Sequence, residues 1–154
     1  MIKILFVCHG NICRSPMAEF VMKKLVQDAG LSEKFTICSA AASREEIGND
    51  IHYGTKRKLR EHGIPFEKRA AVQITAADYG KYDYIVGMDV NNVRDMLRVF
   101  GGDPLHKVRR LLEFTGLNRD VADPWYTGDF DAAYSDIAKG CAALLDFAAG
   151  SLNP

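Results

Sequence analysis

Ile2-Lys3-Ile4-Leu5-Phe6-Val7 runs directly into Cys8-His9-Gly10-Asn11-Ile12-Cys13-Arg14-Ser15-Pro16, and the order of these residues decides the fold. The first six are apolar apart from Lys3, the pattern of a short strand buried on both faces of a parallel sheet. Gly10 and Asn11 tolerate left-handed backbone and predict a tight loop. Ser15 reads as a helix N-cap and Pro16 as a first helical residue. Ala18, Val21, Met22, Leu25 and Ala29 then recur at helical spacing, and Gly30 is a plausible stop. A cysteine therefore stands at the mouth of a strand-loop-helix unit, with Arg14 after five intervening residues.

That placement has chemical consequences. The N–H groups of a loop and a first helical turn lack partners within the helix and carry partial positive charge. They suit an oxyanion, phosphate above all. The same field favours a thiolate over a thiol at Cys8. Arg14 adds a planar fork of donors that fits two phosphate oxygens. Taken singly, Cys8 is a small buried hydrophobe, Arg14 a surface charge and Gly10-Asn11 a turn. Their order within the predicted strand, loop and helix makes a combined signal that none carries alone.

Working outward, strands are expected at Phe35 to Ala40, Tyr82 to Met88 and Val108 to Leu112. Helices are expected from about Ile51 to Glu61, from an Asp89 N-cap to Phe100, and from Phe130 to Ala149. Residues 66 to 81 are the least legible, and 118 to 128 read as loop. Strands alternating with helices predict an α/β fold, a three-layer sandwich in which a four-stranded parallel sheet of flavodoxin-like (Rossmannoid) type carries helices on both faces. Such sheets bind ligands at the carboxyl ends of their strands, where Cys8 lies.

At 154 residues the chain is expected to form one domain. Lys plus Arg and Asp plus Glu number 20 each, so no net field points to nucleic acid or an acidic membrane. No 18-residue apolar run and no signal-peptide layout is visible, which predicts a cytoplasmic protein without membrane insertion. The four cysteines lack the spacing of a zinc site, and no metal or other cofactor is expected. Neither a Gly-Lys-Ser/Thr loop nor G-x-G-x-x-G is present, which excludes the common nucleotide-binding motifs.

The stretch CHGNICRSP, together with Asp123-Pro124-Trp125-Tyr126 near the C-terminus, resembles the low-molecular-weight protein tyrosine phosphatases. Ser39-Ala40-Ala41, Glu46-Ile47-Gly48-Asn49, His62-Gly63-Ile64-Pro65 and Met88-Asp89 look like further landmarks in family order, so the resemblance spans essentially the whole chain. It implies hydrolysis of phosphotyrosine and small aryl phosphates through a cysteinyl-phosphate. Cys8 would be the nucleophile, Arg14 the clamp, Ser15 a hydrogen-bond donor to the thiolate and Asp123 the general acid and base. Residues 9 to 14 would hold the phosphoryl oxygens through their N–H groups, which brings His9, Gly10, Asn11, Ile12 and Cys13 into the substrate site. Trp125 and Tyr126 beside the acid would wall a slot for a flat ring. The resemblance also implies that Asn11 keeps the loop in shape with help from a histidine aligned with His62. Expected partners are a phosphotyrosine protein or peptide and the anions phosphate, sulfate and vanadate.

Three features depart from the family or stay open. His9 replaces a small or apolar residue. Arg44 and Glu45 replace an aromatic or apolar rim, so a charged rim is expected to favour phosphopeptides with charged flanks. Cys13 beside Cys8 suggests a reversible disulfide that would protect the nucleophile from over-oxidation; Cys38 and Cys141 read as core. The nearest alternatives are an arsenate reductase of the same fold, which would add two redox cysteines around 75 to 90 where this chain has none, and a phosphoarginine phosphatase, whose relatives carry Thr where Ile12 stands. A non-catalytic phosphate-binding module would explain the loop but not Asp123.

Overall fold

The computed structural model describes residues 1–152. Four strands, β1 (Ile2–Cys8), β2 (Phe35–Ala41), β3 (Tyr84–Gly87) and β4 (Val108–Arg110), form one sheet in the order β2-β1-β3-β4, every pair parallel. The helices are α1 (Arg14–Asp28), α2 (Tyr53–Glu61), α3 (Asp78–Lys81), α4 (Val90–Phe100), α5 (Pro124–Thr127) and α6 (Phe130–Ala149). The strand order has the flavodoxin-like form, in which the chain leaves the sheet on opposite sides beside the first strand and opens a crevice there.

Alternation along β1 builds two cores. Ile2, Ile4, Phe6 and Cys8 pack with Met17, Ala18, Val21 and Met22 of α1, Leu59 of α2 and Ile137, Cys141 and Leu144 of α6. Leu5 and Val7 face the other way, onto Met96 and its neighbours on α4 and Tyr79 of α3. The central strand is thus apolar on both faces, as a doubly covered parallel strand must be. Burying each of these large side chains contributes about 1.5–3 kcal/mol before entropy is counted. Gly30, at φ 72°, ends α1: Leu31 N–H donates to the Val26 carbonyl and Gly30 N–H to the Gln27 carbonyl, the paired bonds of a Schellman motif.

Several boundaries differ from the sequence expectation. α1 begins at Arg14 with Cys13 at its N-cap, so Ser15 is a second-position helical residue and makes no cap. The strand from Val108 stops at Arg110, and Leu111–Thr115 coil into a 3₁₀ turn that buries Leu111 and Leu112. The segment 118 to 128 contains α5, which Asp123 caps by accepting from Trp125 N–H at 3.0 Å. Cys141 is buried, while Cys38 on β2 is only half-buried. The barely legible stretch before α3 crosses behind the Cys8–Arg14 loop. There Ala41 N–H donates to the Val72 carbonyl and Ile74 N–H to the Ala41 carbonyl, which extends the hydrogen bonding of β2 outward.

Candidate active site

β1 delivers Cys8 to the carboxyl edge of the sheet, and the loop turns back over it. Asn11 sits at φ 58°, a left-handed position that Asn accepts more readily than most residues. That turn aims Asn11 N–H at Cys8 Sγ, 3.3 Å away; Ser15 N–H reaches the same sulfur at 3.4 Å. Ser15 Oγ lies 3.1 Å from it. Because Ser15 Oγ accepts from Asn11 Nδ2 at 2.8 Å, its proton is free for the sulfur or for the Ala40 carbonyl at 3.4 Å. These donors suit a sulfur that carries negative charge. Ser15 Oγ thus turns to Cys8, and no side chain caps the first turn of α1. Among the described residues, the N–H groups of Gly10, Ile12 and Cys13 donate to no protein acceptor. They form a nest open to the cleft.

Arg14 is 2% exposed, and its guanidinium is held from behind. Nη1 donates to Asp89 Oδ2 at 2.8 Å and to the Val121 carbonyl at 2.9 Å, which uses both of its protons. Nη2 makes a longer bond, 3.3 Å, to Asp123 Oδ2. Burial works against the charge but is outweighed by Cys8, Asp123 and Asp89, which hold Arg14 above its ordinary pKa. The remaining Nε and Nη2 donors are available to an anion. Asp123 has the extended backbone expected of a residue before proline, and its carboxylate is 21% exposed at the cleft.

Cys13 is buried beside these charges. Burial, then Cys8 and Asp123, push its thiol up to about 12, so it stays protonated where Cys8 is surrounded by donors. The cleft is lined by Cys8, His9, Gly10, Ile12, Cys13, Arg14, Glu45, Glu46, Asp123, Trp125 and Tyr126, which brings together every cleft residue named from the sequence except Asn11. Asn11 and Ser15 lie underneath and hold the loop. Trp125 and Tyr126 are 54% and 80% exposed, a wall and not a core.

His62 does not support the loop. It stacks face to face on Tyr134, ring centroids 3.7 Å apart, at the far end of α2. The side chain of Asn11 is held by Ser15, by Ser39 Oγ at 3.0 Å and by Val72 N–H at 3.2 Å; Ser39 in turn donates to Glu19 at 2.6 Å. Its carbonyl accepts from Arg69 Nη2, whose Nη1 also reaches the Asn49 carbonyl at 3.2 Å. Arg69 N–H donates to Asp50 Oδ1 at 3.1 Å, and the Lys56 ammonium above all holds the Asp50 carboxyl at about 2. Arg69 and Ser39 are thus site residues that sequence reading missed. Arg69 lies in a polar stretch without periodicity, and its partner is a backbone oxygen, so no pattern marks it.

A third missed residue is His52. Its Nδ1 accepts from Gly54 N–H at 3.0 Å to cap α2, and its N–H donates to the Ile12 carbonyl at 2.9 Å. Its ring stacks on Phe130 and meets Trp125 edge-on at 5.7 Å, which ties the cysteine loop to the aromatic wall.

Comparison with known proteins agrees with this geometry. The family model described as low molecular weight phosphotyrosine protein phosphatase matches residues 3–152. The chain is 40% identical over 147 residues to the low molecular weight protein-tyrosine-phosphatase YfkJ of Bacillus subtilis, covering 94% of each. It is 39% identical over 150 residues to the human low molecular weight phosphotyrosine protein phosphatase, covering 93% of each. The crystal structure of YfkJ superposes with a TM-score of 0.95 at 38% identity, over 98% of this chain and 96% of that one. A protein tyrosine phosphatase from Entamoeba histolytica, solved with Hepes in the active site, gives 0.89 at 28% identity over 98% and 99%. With the cysteine nest, the braced arginine and the Asp-Pro wall in one cleft, the chain belongs to the low molecular weight phosphotyrosine protein phosphatase family.

Proposed function

We propose that this chain is a protein tyrosine phosphatase that hydrolyses phosphotyrosine and small aryl phosphates, with Cys8, Arg14, Ser15 and Asp123 as its catalytic residues. The observation that carries the reading is the convergence of three donors on Cys8 Sγ beneath a nest of free N–H groups, with Asp123 at the same cleft. Cys8 attacks phosphorus as a thiolate. The P–O bond to the phenol breaks, and Asp123 gives its proton to the departing oxygen, which would otherwise leave as a high-energy anion at neutral pH. The three equatorial oxygens are held by loop N–H groups and by the free edge of Arg14. In the second step Asp123, now a carboxylate, takes a proton from water. The water oxygen attacks phosphorus, the P–S bond breaks, and Ser15 stabilises the departing thiolate. Phosphate leaves and the enzyme is restored.

Trp125 and Tyr126 flank the ring of the substrate, and the nest binds phosphate, sulfate and vanadate as simple anions. Protein groups carry every charge in this scheme, so a chelator is expected to leave turnover unaltered. Ile12 supports phosphotyrosine over phosphoarginine, and comparing rates on the two phosphoamino acids decides between them. The whole described chain acts as one catalytic domain. Its thiols, two of them in the cleft, fit a reducing compartment, the cytoplasm. No helix among the described residues is long and apolar enough to cross a membrane. The test is turnover of p-nitrophenyl phosphate by wild type and Cys8→Ser. Loss of turnover in the variant, with orthophosphate still bound, is expected. A variant that retains activity refutes the scheme.

A further inference from the structure

Glu45 and Glu46 line the cleft from the loop after β2, while Trp125 and Tyr126 line it from α5. Glu46 packs over Gly10 and accepts from Asn49 Nδ2 at 2.6 Å. Glu45 stands at the rim with 68% of its side chain exposed, and among the described residues its carboxylate meets one partner, His9 Nε2 at 2.9 Å. Arg44, its neighbour in the sequence, is exposed and is not part of the lining. The charge of Arg14 is already answered by Asp89 and Asp123. Beyond Tyr126 the surface carries Arg94 paired with Asp95, while Asp89 is taken up by Arg14, so this side is balanced. Around the seat of the phosphate, the residues that meet a peptide are therefore acidic on the Glu45 side and close to neutral on the other.

We propose that Glu45, with Glu46 behind it, selects phosphotyrosine sites flanked by Lys or Arg and rejects sites flanked by Asp or Glu. This rests on the phosphatase reading above and adds its substrate subclass. A phosphopeptide brings two negative charges to the loop, and its flanking side chains pass the rim. A flanking ammonium or guanidinium gains an ion pair with Glu45; a flanking carboxylate meets a like charge. His9 Nε2 holds the Glu45 carboxylate at the rim, and the rest of that exposed carboxylate is open to a passing side chain. An exposed ion pair of this kind changes affinity about 1.5- to 5-fold and weakens with salt.

The experiment uses three phosphotyrosine peptides that differ only in the two flanking residues, Lys, Ala or Glu. kcat/KM is measured at low and at high salt for wild type, Glu45→Gln and Arg44→Gln. The expected order is Lys above Ala above Glu, each step about 1.5- to 5-fold, carried by KM and compressed at high salt. Glu45→Gln should bring the Lys-to-Glu ratio close to one, and Arg44→Gln should leave an excess for Lys. A wild-type ratio of one, a preference for Glu, or a Lys preference that survives in Glu45→Gln overturns the inference while the phosphatase reading stands. No turnover of any of the three peptides overturns both.

Discussion

Replacing Arg69 with Ala tests whether the cysteine loop is held by a residue that never touches substrate. The guanidinium donates to two carbonyls, Asn11 and Asn49. Asn49 is exposed, so water can take over there. Asn11 is 1% exposed and has no such replacement. A hydrogen bond from a charged donor to a buried acceptor is worth about 1.5–3 kcal/mol. Against this, burial disfavours the Arg69 charge and holds its pKa down, with Glu19, Cys8 and Asp50 opposing that shift, so removal also relieves a cost. The side chain of Asn11 keeps its three other partners. A net loss of about 1–2 kcal/mol follows, a factor of roughly 5–30 in the ratio of ordered to disordered loop. Thermal unfolding should fall by about 2–8 °C, taking about 2–4 °C per kcal/mol for a chain of this size. Because the left-handed turn at Asn11 aims its N–H at Cys8 and sets the nest, kcat/KM on p-nitrophenyl phosphate should fall, by up to about 30-fold where the disordered loop becomes the dominant form. The inhibition constant for orthophosphate should rise with it. Arg69→Lys, with one donor group in place of a fork, should lie between. Arg69→Ala with wild-type kcat/KM and phosphate inhibition, whatever its unfolding temperature, would refute the positioning role.

Three further outcomes follow from the same geometry. Asp123→Asn should slow hydrolysis of phenyl phosphates with poor leaving groups by about 10²–10⁴-fold and those with good leaving groups far less, so a plot of rate against leaving-group pKa should steepen; equal slowing across the series would remove Asp123 as the acid. His52 is held below its ordinary pKa by burial, with Glu46 pulling the other way. A histidine whose folded pKa is depressed adds stability that is fully present above about pH 6.5 and is lost as the pH falls through the lower folded value. Unfolding temperature should therefore drop on acidification toward pH 5, and drop less in His52→Asn, whose side-chain oxygen can cap α2 without titrating. Peroxide should inactivate Cys13→Ser irreversibly while wild type recovers with thiol, if the two loop cysteines pair on oxidation; equal irreversible loss in both would remove that role for Cys13.

The strand-loop-helix unit, the cysteine and arginine spacing, the Asp-Pro turn and the alternation of strands with helices were legible in the chain. All of these are local. They reside in side-chain periodicity, in turn chemistry and in a motif whose members are consecutive. Tertiary structure decided the rest. Arg14 is braced by Asp89 and Val121, the Asn11 carbonyl is latched by Arg69, Ser15 turns to Cys8, and Glu45 and Glu46 line the cleft where Arg44 does not. Each depends on partners distant in the chain, several of them backbone carbonyls that every residue type carries equally. Carbonyl acceptors leave no mark in a sequence, and only the packing of the sheet and its crossovers says which donors reach them.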